Sequence, residues 1–334
     1  MLVHQSLKAA CPWADGYFTE LKTVLRQNWK TGSALVCVAA AGAVARCVAP
    51  LLKSKQSDPA LLVLDEQGRF VVPLSGGHAG GANALAQHIA GMLGGQAVIT
   101  TASDTQGLPA LDLLGRELGW TLEATGNATQ AASALVNAEP VAVVQECGAT
   151  NWLNQSWPPN LRRVAGVRRL RKAGNFKALL VITDRATAAV GRDLGANAAL
   201  WKTTLLYRPK TLWVGMGCRR GVKKAALKEL LSQTFKSACL SEKSISGFAS
   251  LDLKMDEPGL LDLARDLGVP VRFFSAEALN QCKPFIKPSA LVEIHTGAWG
   301  VAEPAALLAA GVKKLVVRKM KNRMATIAVA RREN

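Results

Sequence analysis

The sequence predicts an α/β protein in three parts: N-terminal and C-terminal α/β domains carrying strand–Gly-turn–helix units, joined by a smaller α/β middle module. Three observations predict it. From residue 34 onward, short apolar runs of strand length alternate with stretches of helical spacing. Two glycine-rich turns, in VVPLSGGHAGGANALAQHIA (residues 71–90) and LWVGMGCRRGVKKAAL (residues 212–227), each follow a strand-like run and precede a helical one. At 334 residues, 49% hydrophobic and 19% charged, the chain is long and apolar enough for more than one core. Boundaries are expected at 1–118, 119–209 and 210–334.

Residues 14–28 predict an amphipathic helix with Phe18, Leu21, Val24 and Leu25 on one face. Ala34 to Val38 predicts a buried strand, and Gly42 opens a short helix that Pro50 ends. LLVLD (residues 61–65) and FVVP (residues 70–73) form a hairpin turning through Asp65 and Glu66. After the first glycine turn, Leu85, Ile89 and Met92 set a helical face, and AVIT (residues 97–100) is a further strand. Gly119 and Gly126 flank a short break. In the middle module VAVVQ (residues 141–145) and ALLVIT (residues 178–183) are strands, and the latter precedes a loop ending near Pro209. The third part has a strand at residues 211–215, a glycine turn at 215–221, a strand and helix in FASLDLKMDEPGLLDLARDLG, and a strand at 271–274. A helix at 300–311 stops at Gly311, and strands at 315–317 and 325–331 close the sheet.

The formal charge of +17 asks for an anionic partner: nucleic acid, an acidic surface, or a substrate with many carboxylates or phosphates. Basic residues gather in Arg162, Arg163, Arg168, Arg169, Arg171 and Lys172, and again from Lys313 to Arg323. An aromatic content of 5% and the lack of any recognisable nucleic-acid motif argue against specific nucleic-acid binding. Seven scattered cysteines without a C-x-x-C pair, and four histidines without ligand spacing, argue against a disulfide framework or a protein-bound metal. The longest apolar run, Ala34 to Ala45, is too short to span a bilayer, and no secretory signal opens the chain. A cytoplasmic protein without a membrane partner is expected.

The first turn supplies four glycines between Pro73 and Gly81, with His78 inside it. Backbone N–H groups at the start of a helix, together with its dipole, favour an anionic oxygen, and an imidazole exchanges protons near neutral pH. Candidate binding positions are therefore Ser75, Gly76, Gly77, Gly80, Gly81 and Asn83, with His78 and Asp104 as candidate bases. Each has a structural alternative: a turn histidine bonded to its own backbone, and helix caps at Asn83 and Asp104. In the second turn Gly217, Cys218, Arg219 and Arg220 offer an anion site, and the nearby arginines and helix start favour a thiolate at Cys218. Glu303 reads as a first-turn dipole partner and His295 as a structural residue at a strand end.

With these motifs in view, the chain resembles the CbiG family of cobalamin biosynthesis. GAVARCVAPLLKSKQSDPALLVLDEQGRFVVPLSGGHAGGANALAQHIA and VITTASD resemble its N-terminal domain, and VAVVQECG its middle domain. LWVGMGCRRGVKKAAL, LDLKMDEPGL and GVAEPAALLAAG resemble its C-terminal domain, which is shared with CobE. Two departures stand out. Gly76 occupies the place of the family's usual serine, with Ser75 one position earlier, and the family's first strand–helix unit looks shortened, which would expose a sheet edge.

The resemblance implies hydrolysis of cobalt-precorrin-5A to cobalt-precorrin-5B. The substrate lactone is opened and acetaldehyde is released. It implies no cofactor bound by the protein, because the cobalt travels within the anionic tetrapyrrole, and it allows contact with neighbouring enzymes of the corrin pathway. The other function class in play is a non-catalytic corrinoid carrier.

Overall fold

The computed structural model describes every residue except 55–56, 78–79, 103–105, 112, 125, 155–156, 196, 287–289 and 334. The chain forms two compact units, Met1–Leu113 and Leu114–Asn334.

In the first unit β1 (Leu2–His4) and β2 (Gly16–Phe18) make a small parallel pair. The main sheet has the order β3–β4–β5–β6, formed by Ala34–Val38, Ala60–Leu64, Phe70–Ser75 and Gln96–Ala97. All five residues of β4 are buried, so both of its faces are covered. Leu61 and Val63 pack on Leu25, Val44 and Val48 from helices Leu21–Asn28 and Ala41–Val48. Leu62 and Leu64 pack on Ala82, Ala86 and Ala90 of helix Ala82–Leu93. Burying each such branched side chain contributes about 1.5–3 kcal/mol, so β4 anchors the three layers.

Several expectations change here. The helix begins at Leu21 rather than residue 14, because Gly16–Phe18 is drawn into pairing with β1. The Ala34–Val38 run is a strand, but it lies at the sheet edge with Val36 and Val38 48% and 63% exposed. Continuous apolarity suggested two covered faces, and the edge position leaves one open. In helix Ala82–Leu93 the small residues face the sheet, while Met92 points to solvent at 68% exposure. The hairpin of β4 and β5 forms as expected.

The second unit holds two sheets. The first has the order β7–β11–β10–β8–β9: Thr121–Ala124, Thr204–Arg208, Ala178–Ile182, Val141–Gln145 and Leu161–Arg163. It is parallel except for β7. Here β7 occupies the predicted break, while the predicted loop before Pro209 contains helices Thr187–Leu194 and Ala198–Trp201 and all of β11.

The second sheet has the order β14–β13–β12–β16–β15: Val271–Phe274, Ile245–Leu251, Leu212–Cys218, Ala325–Arg331 and Leu315–Lys321. Along β12 the side chains alternate. Leu212, Val214 and Met216 meet helices Lys224–Ser237 and Pro258–Asp266, while Trp213 shares a cluster with the alanines of helix Ala302–Ala310. Between the sheets, buried Asp184 accepts two hydrogen bonds from Arg331 at 2.6 and 2.8 Å and one from the Thr211 hydroxyl at 3.1 Å. Among the described residues no helix is long and apolar enough to cross a membrane.

Candidate functional site

Strands β5 and β6 run parallel, so the chain leaving each emerges at the same end of the sheet. Carboxyl ends of parallel strands are where open α/β sheets present binding groups. The glycine turn follows β5, the VITT segment follows β6, and Asn83 Nδ2 donates to Thr101 Oγ1 at 3.1 Å, tying the two together. The structure therefore brings together the two segments on which the candidate bases lie. His78 and Asp104 themselves fall outside the described residues.

The turn needs its glycines for steric reasons. Gly76 has φ +70°, and a Cβ there would lie 2.8 Å from Ala60 Cα. A Cβ on Gly80 would meet the Gly76 carbonyl oxygen at 2.7 Å, so the turn closes on itself. Thus glycine at position 76 is what the packing against β4 demands, and the Ser75 hydroxyl donates to the Pro59 carbonyl at 2.8 Å.

The turn also uses part of the donor set expected at the helix start. The N–H groups of Ala82 and Asn83 donate to the carbonyls of Gly76 and Gly77, both at 3.1 Å. Gly81, at φ +80°, is the N-cap; Asn83 sits inside the first turn, 6% exposed, and is not the cap. Among the described residues the N–H groups of Gly77 and Gly80 donate to no protein acceptor. These two amides remain available to an anionic oxygen. A cleft of about 430 Å³ lined by Ala41, Asp65, Gln67 and Arg69 lies at the other end of the sheet, and among the described residues no sequence-predicted site residue lines it.

The second locus differs from expectation at Gly217, Cys218 and Arg220. Gly215 to Cys218 do not open a turn: they belong to β12 and pair with β16. Gly217 is small because a Cβ would meet Thr326 Oγ1 at 2.8 Å and Val301 Cβ at 3.2 Å. The Cys218 thiol is no thiolate: burial pushes it up to about 11, the Lys254 charge opposes this, and the Glu257 charge adds to it. Arg220 donates to Asp256 at 2.7 Å and to the Leu253 carbonyl at 3.1 Å, so its guanidinium ties the turn to the segment after β13. The exposed Arg219 makes no side-chain bond among the described residues.

Two residues that sequence reasoning passed over complete this locus. Glu257, 1% exposed, accepts from the Gly221 N–H at 3.2 Å and lies 3.8 Å from Lys254 Nζ. Among the described residues its Oε1 has no hydrogen-bond partner. The available signal was a lysine and a glutamate three apart, directly before the proline that starts a helix. Of the remaining candidates, Glu303 stands in the first turn of its helix, buried, and accepts the Lys319 N–H at 3.0 Å. His295 is exposed on helix Ala290–Thr296 rather than at a strand end.

Alkylation checks the Cys218 assignment. Iodoacetamide labelling of Cys218, followed by peptide mass spectrometry, is expected to accelerate about tenfold per pH unit between pH 7 and 10, because only the thiolate reacts. A rate that levels off by pH 8 contradicts the buried, protonated thiol.

The architecture defines a class: an α/β protein whose candidate binding groups cluster where strands feed glycine turns and helices. Residues 23–104 match the family model described as cobalamin synthesis G N-terminal, 109–209 the cobalamin biosynthesis central region, and 212–330 the cobalamin synthesis G C-terminus. The chain is 36% identical over 313 residues to the cobalt-precorrin-5A hydrolase of Priestia megaterium, covering 93% of this chain and 81% of the relative. It is 34% identical over 296 residues to the cobalt-precorrin-5A hydrolase of Salmonella typhimurium, covering 88% and 80%. The crystal structure of CobE, a protein from the cobalamin (vitamin B12) biosynthetic pathway, is 39% identical over 37% of this chain and 91% of its own, with a TM-score of 0.35. The chain belongs to the cobalamin-synthesis-G (CbiG) family.

Proposed function

We propose that this protein is a cobalt-precorrin-5A hydrolase, opening the substrate lactone and releasing acetaldehyde to give cobalt-precorrin-5B. The observation that carries the reading is the 36% identity to a cobalt-precorrin-5A hydrolase across 93% of the chain, matched by three family models in consecutive order. The charge of +17 suits a macrocycle rimmed with carboxylates.

The chemistry begins with water attacking the lactone carbonyl. Charge then develops on the carbonyl oxygen, and the Gly77 and Gly80 N–H groups are the donors to receive it. Removing one such donor typically costs about 3 kcal/mol of transition-state stabilisation. His78 or Asp104 takes the water proton, and the ring C–O bond breaks to give a carboxylate and a hydroxyl. The same base then removes the hydroxyl proton. The carbon–carbon bond cleaves, its electron pair passes to the ring, and acetaldehyde leaves. Cobalt enters only as part of the substrate.

His78→Ala is expected to slow acetaldehyde release by about 10²–10⁴-fold while leaving substrate binding within about twofold. Unchanged turnover removes His78 from the mechanism. Substrate binding by the wild-type protein without any aldehyde selects a corrinoid carrier instead.

A further inference from the structure

The middle module contains a recess of about 470 Å³ that the reaction does not account for. Arg163 at the end of β9, Arg168 and Arg169 in the turn Val167–Arg169, and Lys172 in the next turn of helix surround it. Val164 and Ala165 supply its apolar floor, and among the described residues no carboxylate lines it. The four cations are not balanced locally. Arg168 donates to Asp193 at 2.8 Å, but Asp193 also accepts from Arg185 at 2.6 Å, so one carboxylate serves two arginines. Among the described residues the side chains of Arg163, Arg169 and Lys172 have no acidic or hydrogen-bonding partner, and all three are exposed.

Charges on an edge strand guard against edge pairing, which accounts for Arg163 on β9. It does not account for Arg169 and Lys172, which reach the same recess from a different segment. Gathering like charges around one hollow raises their mutual repulsion, and an anion in the hollow relieves it.

We propose that this recess is a binding subsite for a multiply carboxylated edge of the tetrapyrrole. Guanidinium forks match carboxylates two oxygens at a time, and the apolar floor suits the carbon skeleton between them. A volume of 470 Å³ is in the range of small-molecule sites but takes an edge of the macrocycle rather than the whole ring. A nucleic acid backbone calls for a stripe of cations along a track, whereas these four converge on one hollow. The proposal rests on the reading of the substrate as an anionic corrinoid and adds where its carboxylates are held.

The test uses the full-length chain, with uroporphyrin (a tetrapyrrole octacarboxylate) and its octamethyl ester as probes. In Arg163→Gln/Lys172→Gln the Kd for the octacarboxylate is expected to rise about tenfold, each lost charged contact contributing a few-fold. The ester should bind wild type and variant alike. Lys228→Gln/Lys236→Gln, which removes the same charge from exposed sites on another helix, should leave the octacarboxylate Kd within about twofold, as expected for remote screened charges. Exposed substitutions of this kind change stability little, and near-UV circular dichroism verifies folding.

Equal weakening in both double variants, or no weakening in the first, overturns the proposal. So does a recess variant that loses affinity only for single-stranded DNA. Acetaldehyde release from cobalt-precorrin-5A separates the two levels. If wild type turns the substrate over and the recess variant shows an unaltered KM, the subsite falls while the function stands. If the wild type releases no aldehyde, the reading of the function falls first.

Discussion

Gly215→Ala is expected to destabilise the second unit by at least about 3 kcal/mol, the upper end of what overpacking a core usually costs. Gly215 lies in the middle of β12, paired with Ala249 of β13 on one side and Ala328 of β16 on the other. A Cβ there would sit 1.9 Å from the Ala302 carbonyl oxygen and 2.7 Å from the Ala306 nitrogen. Both are backbone atoms, so no rotamer change relieves the clash. Helix Ala302–Ala310 would have to lift, opening a cluster that includes Trp213, Ala305, Ala306 and Leu307. Urea unfolding followed by circular dichroism and tryptophan fluorescence measures the loss.

Gly81→Ala makes the contrast. Nothing lies within 4 Å of its Cβ position, so only the φ of +80° resists substitution. Its cost should be about 1–2 kcal/mol, the ordinary penalty for a left-handed alanine. A Gly215→Ala protein as stable as wild type would mean that strand and helix do not approach this closely.

Arg208→Met is expected to cost about 3–5 kcal/mol near neutral pH, the usual result of removing one partner from a buried ion pair. The Arg208 side chain is fully buried. It donates to Glu123 at 2.9 Å, to the Thr183 carbonyl at 3.2 Å, to the Thr187 hydroxyl at 2.7 Å, and to the Arg185 carbonyl. A methionine fills the space but leaves the two carbonyls unpaired. Among the described residues the Glu123 carboxylate keeps only the Thr187 hydroxyl at 2.9 Å and Lys243 at 3.5 Å.

The penalty should also depend on pH. Burial pushes the Glu123 carboxyl up more than any single partner pulls it down, but the hydrogen bond and charge of Arg208, with the Thr187 hydroxyl and the Lys243 charge, together hold the group below its ordinary value of 4.5. A carboxyl with a depressed folded pKa contributes stability that is complete above its unfolded pKa and is lost as pH falls through the folded one. Without Arg208 the burial effect is less opposed and Glu123 takes up a proton at higher pH, which relieves the stranded charge. The difference between wild type and variant, read from denaturant midpoints, should therefore be largest near pH 7 and shrink as pH falls through the variant's raised carboxyl toward that of the wild type, which lies below 4.5. A gap that stays constant with pH would show that Arg208 acts through packing alone.

Much of the fold is legible locally. LLVLD and FVVP declare a hairpin because apolar runs flank turn residues, and VAVVQ, ALLVI and VRFF are strands for the same reason. The helix ending at Gly311 is equally plain, since glycine takes φ +69° there. What escaped notice depended on distant partners. TLLYR contains an arginine and precedes a proline, which suggests a loop, yet all five residues are buried because Glu123, 85 positions away, meets the charge. ALVCV looks like an interior strand, and only the sheet order places it at an edge.

The candidate site divides in the same way. Glycines in the first turn follow from strand–turn–helix logic, whereas the Asn83–Thr101 bond that ties this turn to VITT depends on β6 pairing beside β5. Cys218 was expected to be a thiolate from its sequence neighbours, but Arg220 turns to Asp256 and the thiol meets burial and Glu257 instead.

By itself the sequence determined the α/β class, the position of most strands, the first glycine turn and the family, because each depends on short-range pattern or on motif order along the chain. Only the tertiary structure decided which glycines serve turns and which serve packing, which amides remain free, and where uncompensated arginines converge. Those properties depend on which backbone and which charge lie opposite a residue, and that is set by segments far away in the chain.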